Sequence, residues 1–488
     1  MDRPYAVIPQ GNHKEEEGKA YLLISPKWTG FRAGWLESQT ETYNIFRVDR
    51  YAAWSGLVPD DLKEDFDLSP RYYSIKILQN SDYLVGNEFE LEDAWIRYRE
   101  HLLRKEKDIG IRVKSTASAR FNLASKLVSD GVIPWTPRMV KNQQSWKWLT
   151  DIKLRPYQQE AMDFFIKHGA MTLVYPFGAG KTLFGIQAIS CISDRTLVVV
   201  PSVSHIAVWQ KYIEEHLLLK KKKNSNNINI NNNTQPRIAL LYGGGASRRD
   251  TAKRYADIII STYESALTHL TNERFRLLVF DECHHFPANT YSRLAFLDAD
   301  YRLGLSGSPY REDGRSELIY VLSGYPYGSD WDRLFEEGWV KKPEIDLHIT
   351  PVKLSFLQSL LQTLKGNTVV FCDSLAIGEE ASRLTGIPFI YGEHSLKERI
   401  DALNNHQRFI CSRIFDEGMD MPDVKNIIEL DFLGGSRRQQ LQRVGRLMHS
   451  LIDGVEYHLL MSPEELKKYE RRLYGLYSRQ FKVNVVKH

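Results

Sequence analysis

Cysteine is scarce in this chain and never clustered. Cys191, Cys283, Cys372 and Cys411 are spread over 488 residues without a C-x-x-C pair. Their spacing supports neither a zinc site nor an iron–sulfur cluster, and lone scattered thiols fit a reducing, cytoplasmic setting. Long apolar runs are also missing, so no segment reads as membrane-spanning. The opening stretch MDRPYAVIPQGNHKEEEGK has no apolar core of the kind a secretory signal needs. Nor is there an excess of either charge: 65 basic against 61 acidic side chains leave +4. That balance neither requires nor excludes nucleic acid, which asks for a local basic surface rather than a basic total.

What is present is an ordinary globular composition, 42% hydrophobic and 26% charged, on a length that suits about three domains. Residues 1–148 read as an α+β accessory domain with a possible DNA- or damage-binding role. Its aromatics Trp28, Trp35, Trp54, Tyr72 and Tyr73 are expected in its core rather than as base-stacking platforms. FELEDAWIRYREHLLRKEKD, residues 89–108, reads as a helix with Leu91, Trp95, Tyr98 and Leu102 on one face.

From Ile152 the texture changes. Short β-rich runs (MTLVY, TLVVVP, RIALLYG, DIIIST, LLVF) alternate with amphipathic stretches, and a second series (TVVFC, PFIYG, RFICS, IIELD, EYHLLM) follows Pro351. Such alternation predicts parallel βαβ layering. Two series predict two α/β domains, over 149–335 and 336–488. KKKKNSNNININNNTQP, residues 220–236, is too polar to pack and reads as a disordered surface insertion in the first of them.

LVYPFGAGKTLFGIQAI carries the first chemical signal. An apolar strand runs into Gly178, Ala179, Gly180, Lys181 and Thr182 and then into a helix. Glycines let backbone N–H groups wrap a phosphate, and the helix start adds its dipole. Lys181 is expected on the β- and γ-phosphates of ATP, and Thr182 on Mg²⁺. The strict pattern has glycine where Tyr175 stands. RLLVFDECHH supplies the second signal, a strand ending in Asp281-Glu282. Asp281 suits the second Mg²⁺ anchor and Glu282 the polarisation of the attacking water. Alone, the pair would read as a solvated acidic turn. Cys283 and His284 lack further ligands at useful spacing.

Asp281-Glu282-Cys283-His284 resembles the D-E-x-H box of superfamily-two helicases, and the motifs around it keep that family's order. The resemblance implies two tandem RecA-like parallel-sheet motor domains preceded by the α+β domain, and ATP with Mg²⁺ as ligands. LRPYQ implies that Arg155 and Gln158 meet the nucleotide, Gln158 at adenine. VVVPSVSHIAVW and STYESAL imply backbone-phosphate contacts through Ser202 and Thr262. LGLSGSP implies that Ser306 and Ser308 couple the domains, with His284 and Gln442. FDEGMDMP resembles motif five, with Gly418 and Asp420 near nucleotide. QRVGRLMH resembles motif six, with Arg443 and Arg446 presenting cations to the γ-phosphate. Such a finger contributes roughly 10³–10⁵ in rate.

His449 stands where that motif has another arginine. A neutral imidazole cannot replace a guanidinium fork, so His449 is expected either as a weaker, pH-sensitive helper or as a helix cap. Three elements are similar to the XPB-like branch, archaeal XPB and UvsW-related proteins among it. They are YREDG with Arg311, Glu312 and Asp313, GSRRQQLQRVGR, and LYGGGASRRD. Arg248 and Arg249 in the last either cap a turn or meet phosphates. The branch implies a 3′-to-5′ DNA helicase or translocase in repair of the nucleotide-excision type or in DNA opening, acting on single-stranded or forked DNA, in a prokaryotic, archaeal-like cytoplasm. A nuclease partner of the Bax type is compatible with it. Two other readings remain open. One is a duplex translocase without unwinding, favoured by the short PVKLSFLQSLLQTLKGNT connection in place of the branch's thumb. The other is an ATP-gated DNA-binding subunit that recruits a nuclease.

Overall fold

A computed structural model describes the chain except residues 1–5, 11–19, 30, 32, 55–56, 69–75, 79–82, 115–116, 133–134, 137–147, 193–194, 220–234, 244–254, 272, 286–293, 295–296, 308–316, 329–330, 416–422, 435, 449–452 and 480. Arg248, Arg249, Ser308, Arg311, Glu312, Asp313, Gly418, Asp420 and His449 therefore lie outside the described residues, as do Tyr72, Tyr73 and nearly all of the asparagine-rich insertion.

Strands β1 (Ala6–Gln10), β2 (Ala20–Pro26), β3 (Trp35–Gln39) and β4 (Tyr43–Asp49) form an antiparallel sheet in the order β1-β2-β4-β3. A five-stranded sheet follows, β7-β8-β6-β5-β9, from β5 (Lys76–Leu78), β6 (Tyr83–Val85), β7 (Leu102–Glu106), β8 (Gly110–Val113) and β9 (Trp135–Thr136). The helix expected over 89–108 ends early, at Arg97. Leu102 opens β7 instead, because LLRKE finds an antiparallel partner in GIRV. Trp28 also departs from expectation: it sits on a short 3₁₀ turn, 86% exposed, rather than in a core.

β10 (Trp148–Thr150) pairs with β13 (Leu217–Leu219). The first parallel sheet has seven strands: β11 (Ala170–Val174), β12 (Thr196–Val200), β14 (Ile238–Leu241), β15 (Ile258–Thr262), β16 (Arg274–Phe280), β17 (Asp298–Ser306) and β18 (Pro326–Tyr327), ordered β14-β15-β12-β16-β17-β11-β18. The second has β19 (Glu344–Ile349), β20 (Thr368–Cys372), β21 (Phe389–Ile390), β22 (Arg408–Cys411), β23 (Asn426–Asp431), β24 (Glu456–Met461) and β25 (Val483–Lys487), ordered β21-β22-β20-β23-β24-β19-β25. Every residue of β11, β12, β20 and β23 is buried. This is why β11, β12 and β20 read as near-continuous apolar runs: helices cover both faces of a parallel sheet. Each buried aliphatic side chain stabilises by about 1.5–3 kcal/mol relative to exposure.

Two compact units result. One holds residues 1–49, 176–179 and 330–488, the other residues 50–175 and 180–329. The accessory region 1–148 is thus divided between them. In the first unit, Tyr474 Oη accepts from the Gln39 N–H at 3.3 Å and Arg437 Nη1 donates to the Leu36 carbonyl at 2.9 Å, tying β1–β4 to the second parallel sheet's helices. In the other, Trp54 packs edge-on against Tyr325 at 4.2 Å, and Tyr325 donates to the Val132 carbonyl. No helix among the described residues is long and apolar enough to cross a membrane.

Candidate nucleotide site

Ligands of parallel sheets gather at the carboxyl ends of the strands. In the first parallel sheet, β15 ends at Thr262, β12 leads to Ser202, β16 to Asp281-Glu282, β17 ends at Ser306, and β11 leads into the glycine loop. Registry pairs Val200 with Thr262, Val199 with Phe280, Phe280 with Gly304, and Val174 with Ser306. Five motifs far apart in sequence therefore line one rim in that spatial order.

At the β11 end, Gly178 and Gly180 take φ of 77° and 79°. The φ of Gly180 disfavours any side chain there, and a Cβ would stand 2.8 Å from Gln158 Nε2 and push that amide aside. Gln158 is held in turn by the Arg155 N–H, which donates to its Oε1 at 3.0 Å at the start of the helix Pro156–His168. Tyr175, where the strict motif has glycine, donates its hydroxyl to the Tyr157 carbonyl at 2.8 Å. Its own carbonyl accepts from Lys181 Nζ at 3.1 Å. Burial pushes the Lys181 ammonium below its ordinary range, against the pull of Glu282 and Asp281.

Asp281 is pinned at several points. Oδ2 accepts from Trp209 Nε1 at 2.8 Å, Oδ1 from the Glu282 N–H at 3.1 Å, and its carbonyl from Tyr263 Oη at 2.6 Å. Glu282 takes φ of 45°, a left-handed conformation that costs a side-chain-bearing residue about 1–2 kcal/mol. That turn sets Glu282 Oε2 3.2 Å from His284 Nδ1, which also lies 2.8 Å from Ser306 Oγ. The expected coupling pair His284–Ser306 is therefore in contact and buried. Ser202 Oγ lies 2.8 Å from His205 Nδ1, and Thr262 caps its helix by accepting from the Ser265 N–H at 3.4 Å. Sequence reasoning missed Trp209 and Tyr263. A trace of Trp209 exists in Gly185, a glycine inside the helix Lys181–Ile192: a Cβ there would stand 2.5 Å from the indole.

Arg443 departs from its expected role. Its guanidinium is fully buried and donates to Glu429 Oε1 and Asp373 Oδ1, each at 2.5 Å, over the Phe371 ring. Arg472 also donates to Glu429, and Tyr457 Oη donates to Glu429 Oε2 at 2.6 Å. Burial would raise the Asp373 carboxyl, but Arg443 outweighs it and holds the group below its ordinary value. Arg443 thus neutralises carboxylates of its own sheet. Arg446 and Gln442, on the same helix Arg437–Met448, are buried as well.

A half-buried lysine, a loop of left-handed glycines and two carboxylates at one rim fit a phosphate chain. Thr182 and Asp281 offer the hard oxygens that Mg²⁺ takes.

Comparison with known proteins agrees. Residues 151–311 match the family described as type III restriction enzyme, res subunit, and residues 335–481 the ERCC3/RAD25/XPB C-terminal helicase. Rad25 of Halobacterium salinarum is 34% identical over 338 residues, which is 61% of this chain and 52% of that protein. Rad25 of Haloarcula marismortui is 31% identical over 334 residues, 61% and 50% respectively. The chain thus spans about half the length of these two relatives. The DNA 3′-5′ translocase XPB2 of Sulfurisphaera tokodaii is 27% identical over 370 residues, 61% of this chain and 79% of that one. In fold, the chain is similar to Saccharomyces cerevisiae Dbp5 bound to RNA and ADP BeF3, with a TM-score of 0.50 and 13% identity over 69% of this chain and 90% of the other. Both matched segments make this chain similar to superfamily-two helicases of the XPB/Rad25 type, and the RecA-like sheets and rim motifs agree with that likeness.

Proposed function

We propose that the chain is an ATP-dependent DNA translocase and helicase of the XPB type, moving 3′ to 5′ and serving DNA repair or DNA opening. The observation that carries this reading is the first sheet's rim, where the glycine loop, Lys181, Asp281-Glu282 and the His284–Ser306 contact stand in one row. The DNA substrate and the polarity are drawn from the Rad25 and XPB2 relatives, a DNA 3′-5′ helicase and a DNA 3′-5′ translocase by name.

Gly178, Ala179, Gly180 and Lys181 hold the phosphates, and Arg155 and Gln158 the base. Thr182 and Asp281 hold Mg²⁺, which when bound neutralises charge on the transferred phosphoryl group. Glu282 takes the proton of the attacking water. His284 couples that carboxylate to Ser306. Arg446 is the cation assigned to the developing phosphoryl charge. Ser202 and Thr262 meet backbone phosphates, which carry little sequence information.

The test is steady-state ATP hydrolysis at low salt with no nucleic acid, single-stranded DNA, duplex DNA and RNA. Lys181→Ala serves as the blank. DNA-stimulated turnover that falls by roughly 10²–10⁴ in Glu282→Gln supports the reading. Turnover at the level of the blank in every lane overturns it and leaves an ATP-gated binding subunit, one that recruits a nuclease of the Bax type or another partner. A duplex translocase without unwinding has one observation in its favour: a single helix, Lys353–Thr363, connects β19 to β20. Triplex displacement without strand displacement would select it.

A further inference from the structure

The second parallel sheet has a cluster that the nucleotide chemistry does not use. Asp346 and His348 lie two apart on β19 and so share a face. Registry places His458 of β24 and Asn484 of β25 beside Asp346, on that same face. The adjacent Tyr457 points to the other face, toward Glu429.

One donor atom from each of Asp346, His348 and His458 lies within 4.8 Å of the other two. His348 Nε2 and His458 Nδ1 are 3.1 Å apart, and His458 Nδ1 and Asp346 Oδ2 are 3.6 Å apart. Ligands about 2.0–2.1 Å from a tetrahedral ion stand about 3.3 Å from one another, between those two spacings. Two of the three have the outer partners that orient metal ligands. His348 Nδ1 lies 3.0 Å from His488 Nε2 and Asn484 Nδ2 donates to Asp346 Oδ1 at 3.1 Å, while Glu456 Oε2 stands 3.3 Å from His458 Nε2 without a hydrogen bond between them. Both imidazoles are buried and Asp346 is half-exposed, which leaves an entry on the carboxylate side.

We propose that Asp346, His348 and His458 bind a divalent transition-metal ion, zinc by preference, with His488 and Asn484 orienting the ligands and a fourth position open to water. Two imidazoles and one carboxylate favour zinc over magnesium, which prefers oxygen alone. No thiolate takes part, so the cysteine spacing gives no hint of it. The ion ties β19 to β24 near the β25 edge of the sheet.

The experiment uses the full chain, stripped with chelator and titrated with Zn²⁺ alone by calorimetry and with Co²⁺ by absorption. One equivalent binds, Co²⁺ develops visible bands without near-ultraviolet thiolate charge transfer, and Zn²⁺ raises the melting temperature. Asp346→Asn, at the half-exposed ligand, and His458→Gln each weaken Zn²⁺ at least about tenfold. Far-ultraviolet circular dichroism identifies any variant that has failed to fold, and Asp346→Asn disturbs the buried rings least. Stoichiometric binding that neither folded variant weakens overturns the site. So does the absence of binding, in which case His458, His348 and His488 form only a chain of hydrogen-bonded imidazoles.

Discussion

The carboxylates of the two sheets' chief polar clusters are held in different ways. The first sheet sets Asp281 and Glu282 just beyond the end of β16, at the rim near Lys181, while Asp300 within β17 is buried against Arg276. The second draws Glu429 into the body of β23, fully buried, and meets it with Arg443 and Arg472 from outside the sheet. At the rim, Asp281 is fixed by neutral donors, Trp209 on its carboxylate and Tyr263 on its backbone carbonyl. The buried charges around Glu429 satisfy one another. A motif rich in arginine can therefore serve catalysis, internal neutralisation or both, and burial decides which arginine does which.

The contrast is tested most strongly by Arg443→Ala. It strands Glu429 and Asp373 beside one cation fewer, and should lower the stability of the second sheet's unit by about 3–5 kcal/mol in urea unfolding. A loss within experimental error, with turnover abolished, would return Arg443 to catalysis. The same pair sets a pH dependence. Because the folded Asp373 carboxyl is held below its ordinary value, its stabilisation is complete above the ordinary carboxylate range and fades as pH falls through the folded value. The acid limb of unfolding should therefore flatten in Arg443→Ala.

Trp209→Phe comes next. It removes one hydrogen bond to a carboxylate, worth about 1.5–3 kcal/mol, and should raise the Mg²⁺ concentration needed for half-maximal turnover. An unchanged Mg²⁺ requirement would make the indole a packing residue only. Thr262→Ala should cost the first sheet's unit about 1 kcal/mol through the lost helix cap, and thermal unfolding reads this. Glu282→Gly has the smallest effect on stability. Relief of about 1–2 kcal/mol of left-handed strain is offset by about 0.5–1 kcal/mol of glycine entropy. Glu282→Gly should therefore unfold at slightly higher urea than Glu282→Ala, while both lose turnover.

Much of the fold was legible because parallel strands buried on both faces leave apolar runs that need no context. Strands β11, β12, β14, β15 and β16, and β20 to β24, stand where such runs predicted them. The glycine loop and Asp281-Glu282 were legible because their chemistry is local in sequence. What escaped spans the chain. Trp209 meets Asp281 72 residues away, and Arg443 meets Asp373 across 70. Asp346 and His348 stand 110 or more residues from His458, and only registry brings them together. The division of residues 1–148 escaped for the same reason, since no local signal says on which sheet β1–β4 packs.

Trp209 also has a practical consequence. An indole sealed from solvent, with its N–H on the carboxylate assigned to Mg²⁺, is a natural optical gauge of that carboxylate. Of the chain's ten tryptophans it alone need be kept. With phenylalanine at the other positions, its emission would follow nucleotide arrival and phosphate departure in real time, without a dye attached to the protein.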